Sequence, residues 1–165
     1  MSAIAGIFHR DGRPAAASVL HLLAETLAHR GPDARAIWTD GGPVGLVDCL
    51  LWSTQESKQE RLPLTSVDGT RVLVADARID NRQELAAALG FLDRDLGEIT
   101  DGQLILAAFD RWGENCPQKL LGDFAIAIWN SRDGSLFLAR DPVGVKPLYI
   151  YTSPSLFKCQ HLGER

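Results

Sequence analysis

Residues 123–140 read "DFAIAIWNSRDGSLFLAR", and this stretch decides the fold class. Two apolar runs of strand length flank "SRDG" (131–134), a polar tetrapeptide ending in Gly, so the stretch predicts an antiparallel hairpin. Such hairpins build sheets whose strands follow one another directly, without a helix between each pair.

The same logic extends outward in both directions. "DPVGVKPLYIY" (141–151) adds a turn and a further strand, and "RVLVADARI" (71–79) is a long β-rich run before it. Asn81 with Glu84 three residues on, and Thr100 with Gln103, are capping-box signatures that predict one helix through Leu89 and another over 101–112. Nearer the start, Ala3 to Phe8 reads as a buried strand, Ser18 to Ala28 as an amphipathic helix, and residues 35–39 and 44–49 as a hairpin around "DGGP". "STQESKQER" (53–61) is polar and without period, which predicts an exposed loop or short surface helix with no visible chemistry. Six to eight strands in sequential pairs with three helices predict an α+β protein, two antiparallel sheets covered by helices.

Composition excludes several classes. Of 165 residues, 45% are hydrophobic and 23% charged, which suits one globular domain and not a disordered chain. The net charge of -4, with basic residues scattered singly, gives no footprint for nucleic acid. No apolar run of about 18 residues and no signal-peptide pattern is present, so a soluble, cytoplasmic chain with no membrane partner is expected. Cys49, Cys116, Cys159, His9, His21, His29 and His161 fall in no ligand or disulfide spacing and are expected to be ordinary core or surface residues, with no metal.

Five strings bear on function: "AIAGIF" (3–8), "HRGPDA" (29–34), "TDGQLILAAFDRWG" (100–113), "LLGDFAIAIWN" (120–130) and "LFLARDPVGVKPLY" (136–149). In this order and at these spacings they resemble the class II glutamine amidotransferase domain that forms the N-terminal half of glutamine-dependent asparagine synthetases. The resemblance covers residues 2–151. It implies a four-layer αββα fold of the N-terminal nucleophile type. It also implies a cysteine exposed by removal of Met1, which attacks glutamine and releases ammonia to an ATP-using synthetase domain.

Aligned with that pattern, the site positions depart from it. Ser2 stands at the place of the nucleophilic cysteine; its hydroxyl is far less acidic than a thiol, although the free α-amine of an N-terminal serine can act as a base. The family's oxyanion string "NGEIYN" aligns with "DARIDN" (76–81), placing Asp76 and Ala77 where an Asn and a Gly are expected. An ionised Asp76 would repel an oxyanion, and losing one such donor costs about 10²–10³ in rate. The arginine that grips the substrate carboxylate falls near "DCLLWS" (48–53), where Leu50 or Leu51 stands instead. Asp101 matches the aspartate that pairs with the α-amine of glutamine, but helix capping or a favourable charge in the first turn of a helix accounts for it on its own, and with its partner residues gone that structural role is the expected one.

The turn-rich strings survive, with Gly31, Pro32, Gly144 and Pro147 shaping the backbone and Arg140 and Asp141 expected to tie neighbouring segments. This asymmetry resembles the β-lactam synthetases and, through "VLVADARIDNRQEL" (72–85), the lasso-peptide cyclases, in which the glutaminase role is lost. The expected role is therefore a degenerate, substrate-orienting scaffold for an amide-forming ligase. Two alternatives stand beside it: a Ser2-dependent amidase, with Asp76 or Asn81 recruited, and a non-functional remnant of a longer gene.

The resemblance further implies that no cofactor is held by this chain. ATP and Mg belong on a synthetase domain or subunit, the expected partner, with a homodimer as a second association. The domain is expected over 1–152, C-terminally incomplete, with residues 153–165, "SPSLFKCQHLGER", as a divergent tail that lacks a nucleotide-binding loop.

Overall fold

A computed structural model of the chain describes residues 2–91 and 96–161. The expected removal of Met1 and the last four residues of the tail lie outside the described residues.

The described residues form nine strands and three α-helices. β1 (Ala3–His9), β2 (Ala34–Trp38), β3 (Val44–Leu50), β8 (Leu148–Thr152) and β9 (Leu156–His161) make a five-stranded sheet in the order β2-β3-β1-β9-β8. β4 (Leu64–Thr65), β5 (Arg71–Ile79), β6 (Gly122–Asn130) and β7 (Ser135–Arg140) make a second sheet in the order β4-β5-β6-β7. All the strand pairings are antiparallel. The 123–140 hairpin is present as read, with Asn130 paired to Ser135 across the turn.

Strand alternation sorts the side chains into three apolar layers. Ala3, Ala5, Ile7, Val47 and Cys49 point outward from the first sheet and pack under α1 (Ala17–Leu27) through Leu20, Ala24 and Leu27. Ile4, Leu46, Val72, Val74, Ala125 and Ala127 fill the space between the sheets. Leu73, Phe124, Ile126 and Ile128 face the other way, against α2 (Arg82–Leu89) and α3 (Asp101–Trp112). Helix, sheet, sheet, helix is the expected four-layer arrangement.

Local differences from the sequence reading have physical causes. α3 opens with the full reciprocal capping box of Thr100 and Gln103. α2 starts where expected, but Asn81 does not cap it. Its side chain instead donates to the Lys119 carbonyl at 3.0 Å and accepts from Leu121 N–H at 3.0 Å, tying the helix start to the entry of β6. The segment set apart as a tail supplies β9 through His161, an interior strand hydrogen-bonded to β1 and β8. Its Phe157 and Cys159 enter the layer between the sheets.

"HRGPDA" is architectural because of Gly31. A Cβ there would sit 2.1 Å from the backbone carbon and oxygen of Cys49, so only glycine lets this loop cross β3.

Candidate functional site

The layer between the sheets is apolar at one end and polar at the other. β1 begins beside the polar end, so Ser2, buried at 8% exposure, enters a cleft of about 260 Å³. Leu50, Leu51, Asp76, Ala77 and Asp101 line the same cleft. The structure thus brings together Ser2, Leu50, Leu51, Asp76, Ala77 and Asp101, from the start of β1, the end of β3, the second half of β5 and the start of α3, whereas Asn81, the other residue named for the amidase alternative, is not among the residues lining the cleft.

The chemistry of these positions is dominated by residues that the motif reading did not single out. Lys146 Nζ lies 3.0 and 2.9 Å from the two carboxylate oxygens of Asp76, and both residues are buried. His161, fully buried on β9, places Nε2 2.8 Å from Asp76 Oδ2, close but out of line for a formed hydrogen bond. Its Nδ1 lies 2.5 Å from the Pro147 carbonyl, which can only accept, so Nδ1 carries a proton. Burial pushes the Asp76 carboxyl up, but the His161 ring and the Lys146 ammonium together outweigh it and hold the group below the usual carboxylate range. His161 is therefore no ordinary core residue, as the sequence reading had it.

Asp141 delivers the lysine. Its carboxylate accepts the N–H groups of Val145 at 2.8 Å and Lys146 at 2.9 Å, folding "DPVGVK" back so that Lys146 points between the sheets. Burial raises its pKa, and the N–H groups of Lys146, Val145, Gly144 and Phe124 more than offset this, leaving it lowered. The expectation that Asp141 ties segments together holds in this form.

Ser2 Oγ accepts the Leu51 N–H at 3.0 Å. Asp76, a buried carboxylate of this cleft, is committed to Lys146 and His161 and is not poised to take a proton from the hydroxyl. Asp101 is also committed: Oδ2 accepts the Ile79 N–H at 3.1 Å, and Oδ1 pairs with the Arg82 guanidinium. Arg82 in turn donates to the carbonyls of Leu96 and Ile99, which fixes the guanidinium beside Asp101 and leaves that carboxylate neutralised.

The segment 53–61 carries more than the expected surface loop. A 3-10 turn over Glu56–Gln59 puts Ser53, Thr54 and Ser57 on the cleft wall. The next residue, Glu60, is buried and accepts from Thr100 Oγ at 2.8 Å and Gly102 N–H at 2.9 Å. Burial raises the Glu60 pKa despite these donors. A side chain at Gly102 would place Cβ 2.7 Å from Glu60 Oε1, so the close approach of that carboxyl requires glycine in the first turn of α3. Behind Ser2, Asp48 on β3 reaches across to the second sheet and accepts the Ala75 N–H at 3.0 Å, with its other oxygen unpartnered. Complete burial, reinforced by Glu60 and Asp76, drives its pKa well up.

Two packed antiparallel sheets with helices outside, and a cleft at the start of β1, define the amidotransferase version of the N-terminal nucleophile fold. The fold matches the glutamine phosphoribosylpyrophosphate amidotransferase of Bacillus subtilis at a TM-score of 0.73 and 18% identity, over 96% of this chain and 41% of that one. The glutamine amidotransferase domain model matches residues 1–158, past the Tyr151 limit of the sequence resemblance, and the chain belongs to that family.

Two similar full-length relatives are asparagine synthetases of Bacillus subtilis. Asparagine synthetase [glutamine-hydrolyzing] 1 is 31% identical over 155 residues, covering 92% of this chain and 24% of the relative. Asparagine synthetase [glutamine-hydrolyzing] 3 is 27% identical over 135 residues, covering 82% and 22%. The chain spans about a quarter of the length of the curated relatives it matches. No helix among the described residues is long and apolar enough to cross a membrane.

Proposed function

We propose that this chain is the amidotransferase domain of an ATP-dependent, amide-forming ligase of the asparagine synthetase type, and that it keeps the domain's shape without hydrolysing glutamine. One observation carries this reading: the position of an oxyanion-hole donor holds Asp76, a carboxylate locked between Lys146 and His161. Glutamine attack needs N–H or amide donors aimed at a developing negative charge, and a buried carboxylate there opposes it.

Two further features support the reading. Asp101 is neutralised by Arg82 and offers no free charge to an α-amine, and Leu50 and Leu51 give the α-carboxylate no cation. The domain then acts as a scaffold or substrate-orienting module, as in the lasso-peptide cyclases, where the reacting amine is already on the substrate and ammonia is not needed. ATP and Mg belong to the synthetase portion, the activated carboxylate is formed there, and the whole acts in the cytoplasm without nucleic acid.

The second reading, a Ser2 amidase, is favoured by one observation, that Ser2 lines the cleft with its Oγ held by the Leu51 N–H. Calorimetric titration of the chain with glutamine separates the two. The scaffold reading predicts no heat of binding and no ammonia, whereas saturable glutamine binding with turnover would overturn it.

A further inference from the structure

The polar cleft has an apolar neighbour on the far side of Leu50, Glu60 and Leu62, which line both. This neighbour is a groove of about 540 Å³ at the edge of the sandwich. One wall is β2 along its whole length; the other is Trp52, Arg61, Leu62 and Pro63.

β2 is an edge strand. It pairs with β3 on one side, and its other side faces the groove. The facing edge of the second sheet is β4, only two residues long, so the two sheets do not close on each other here. An open strand edge presents a row of backbone donors and acceptors, and natural sheets blunt such edges with charge, proline or a covering element. β2, "ARAIW", carries one charge and no proline.

The groove has chemical direction. Ala34 and Trp38 face the inter-sheet side, where Leu50 and Leu62 continue an apolar floor, and Trp52 is 36% exposed at the rim. Arg35 projects from the strand into solvent and makes no ion pair among the described residues. The Arg61 guanidinium is held in place by the carbonyls of Lys58 and Glu60, also without a carboxylate partner among the described residues. The Glu60 carboxyl is turned away toward α3, and Asp33, at one end of β2, is held by the Trp52 N–H at 2.8 Å. In a chain of net charge -4, this is a local cationic edge over an apolar slot.

We propose that the groove binds an extended acidic peptide segment that adds to β2 as a sixth strand of the first sheet. Period-2 alternation fixes its pattern: apolar side chains enter the slot beside Leu50, Leu62 and Trp52, and carboxylates between them meet Arg35 and Arg61. Main-chain hydrogen bonds to β2 supply affinity, and the two arginines supply selection against basic segments.

The proposal does not depend on whether Ser2 is active. Its test uses the whole chain and a terminally blocked six-residue peptide alternating valine and glutamate. The expected result is saturable binding by calorimetry, with slowed amide exchange confined to residues 34–38. N-methylation of one alternate set of peptide amides weakens binding by about tenfold or more, and methylation of the other set does not. Arg35→Glu weakens binding by a similar factor, and a valine–lysine peptide does not bind. Absence of binding at about 1 mM peptide, equal binding of both N-methylated forms, or protection away from β2 would each overturn it. If Arg35→Glu does not fold, the N-methylated pair on the unaltered chain decides alone.

Discussion

Lys146 Nζ contacts both carboxylate oxygens of Asp76, 70 residues away in sequence, in the layer between the two sheets. Each side chain of the pair is under a tenth exposed, so neither charge can be relieved by solvent if the other is removed. Replacing one partner strands the other, at about 3–5 kcal/mol. Asp76→Ala should therefore destabilise the chain by that order in urea unfolding, and Asp76→Ala with Lys146→Met should cost less than the two single changes added together. Additive losses would mean that the pair is not coupled.

The same pair sets an acid limb. The folded pKa of Asp76 lies below its unfolded value, so its contribution is fully present above about pH 4 and is lost as pH falls through the lower folded value. The unfolding free energy of the unaltered chain should drop through this window, and Asp76→Asn should flatten that drop. An unchanged acid limb in the variant would contradict the assignment.

Asp48 has the opposite sign. Its folded pKa is raised by burial, so the unfolded chain ionises first and stability falls as pH climbs from about 4 toward the folded value. Asp48→Asn retains an acceptor for the Ala75 N–H and removes this loss. The variant should be more stable than the unaltered chain at neutral pH and no more stable at pH 3, as measured by thermal unfolding at the two pH values; an equal gain at both would contradict the assignment.

Gly31→Ala places a methyl 2.1 Å from the Cys49 backbone, a clash that no rotamer relieves. The expected loss is about 3 kcal/mol or more, visible as reduced melting temperature. A melting temperature within a degree or two of the unaltered chain would show that the loop can shift.

How much of this was legible in the sequence follows from spacing. The 123–140 hairpin and the Thr100 capping box are local patterns, and both stand as read. β9 alternates Phe157 and Cys159 inward with Lys158 and Gln160 outward, a period of 2, but only six residues long and set behind a Ser-Pro turn. β4 consists of two residues, too few for any pattern. Asp76 was singled out by alignment, yet its partners Lys146 and His161 come from another loop and another strand, joined by topology alone. Glu60 sat in a stretch that reads as solvated; the Gly102 opposite it, in the first turn of a helix, was the available hint. Asn81 shows the converse case, a correct helix start whose signature side chain is spent on residues 119–121.

In the proposed scaffold role, the surroundings of Ser2, and not the serine alone, withhold glutaminase chemistry. This is tested most directly by ammonia release from glutamine, using protein whose first residue is confirmed as residue 2 by mass spectrometry. The unaltered chain and Ser2→Cys should both stay at the no-enzyme background, because Asp76 remains paired with Lys146 and leucines still stand at positions 50 and 51. Ammonia released by the unaltered chain and lost in Ser2→Ala, or turnover restored by Ser2→Cys alone, would contradict the account.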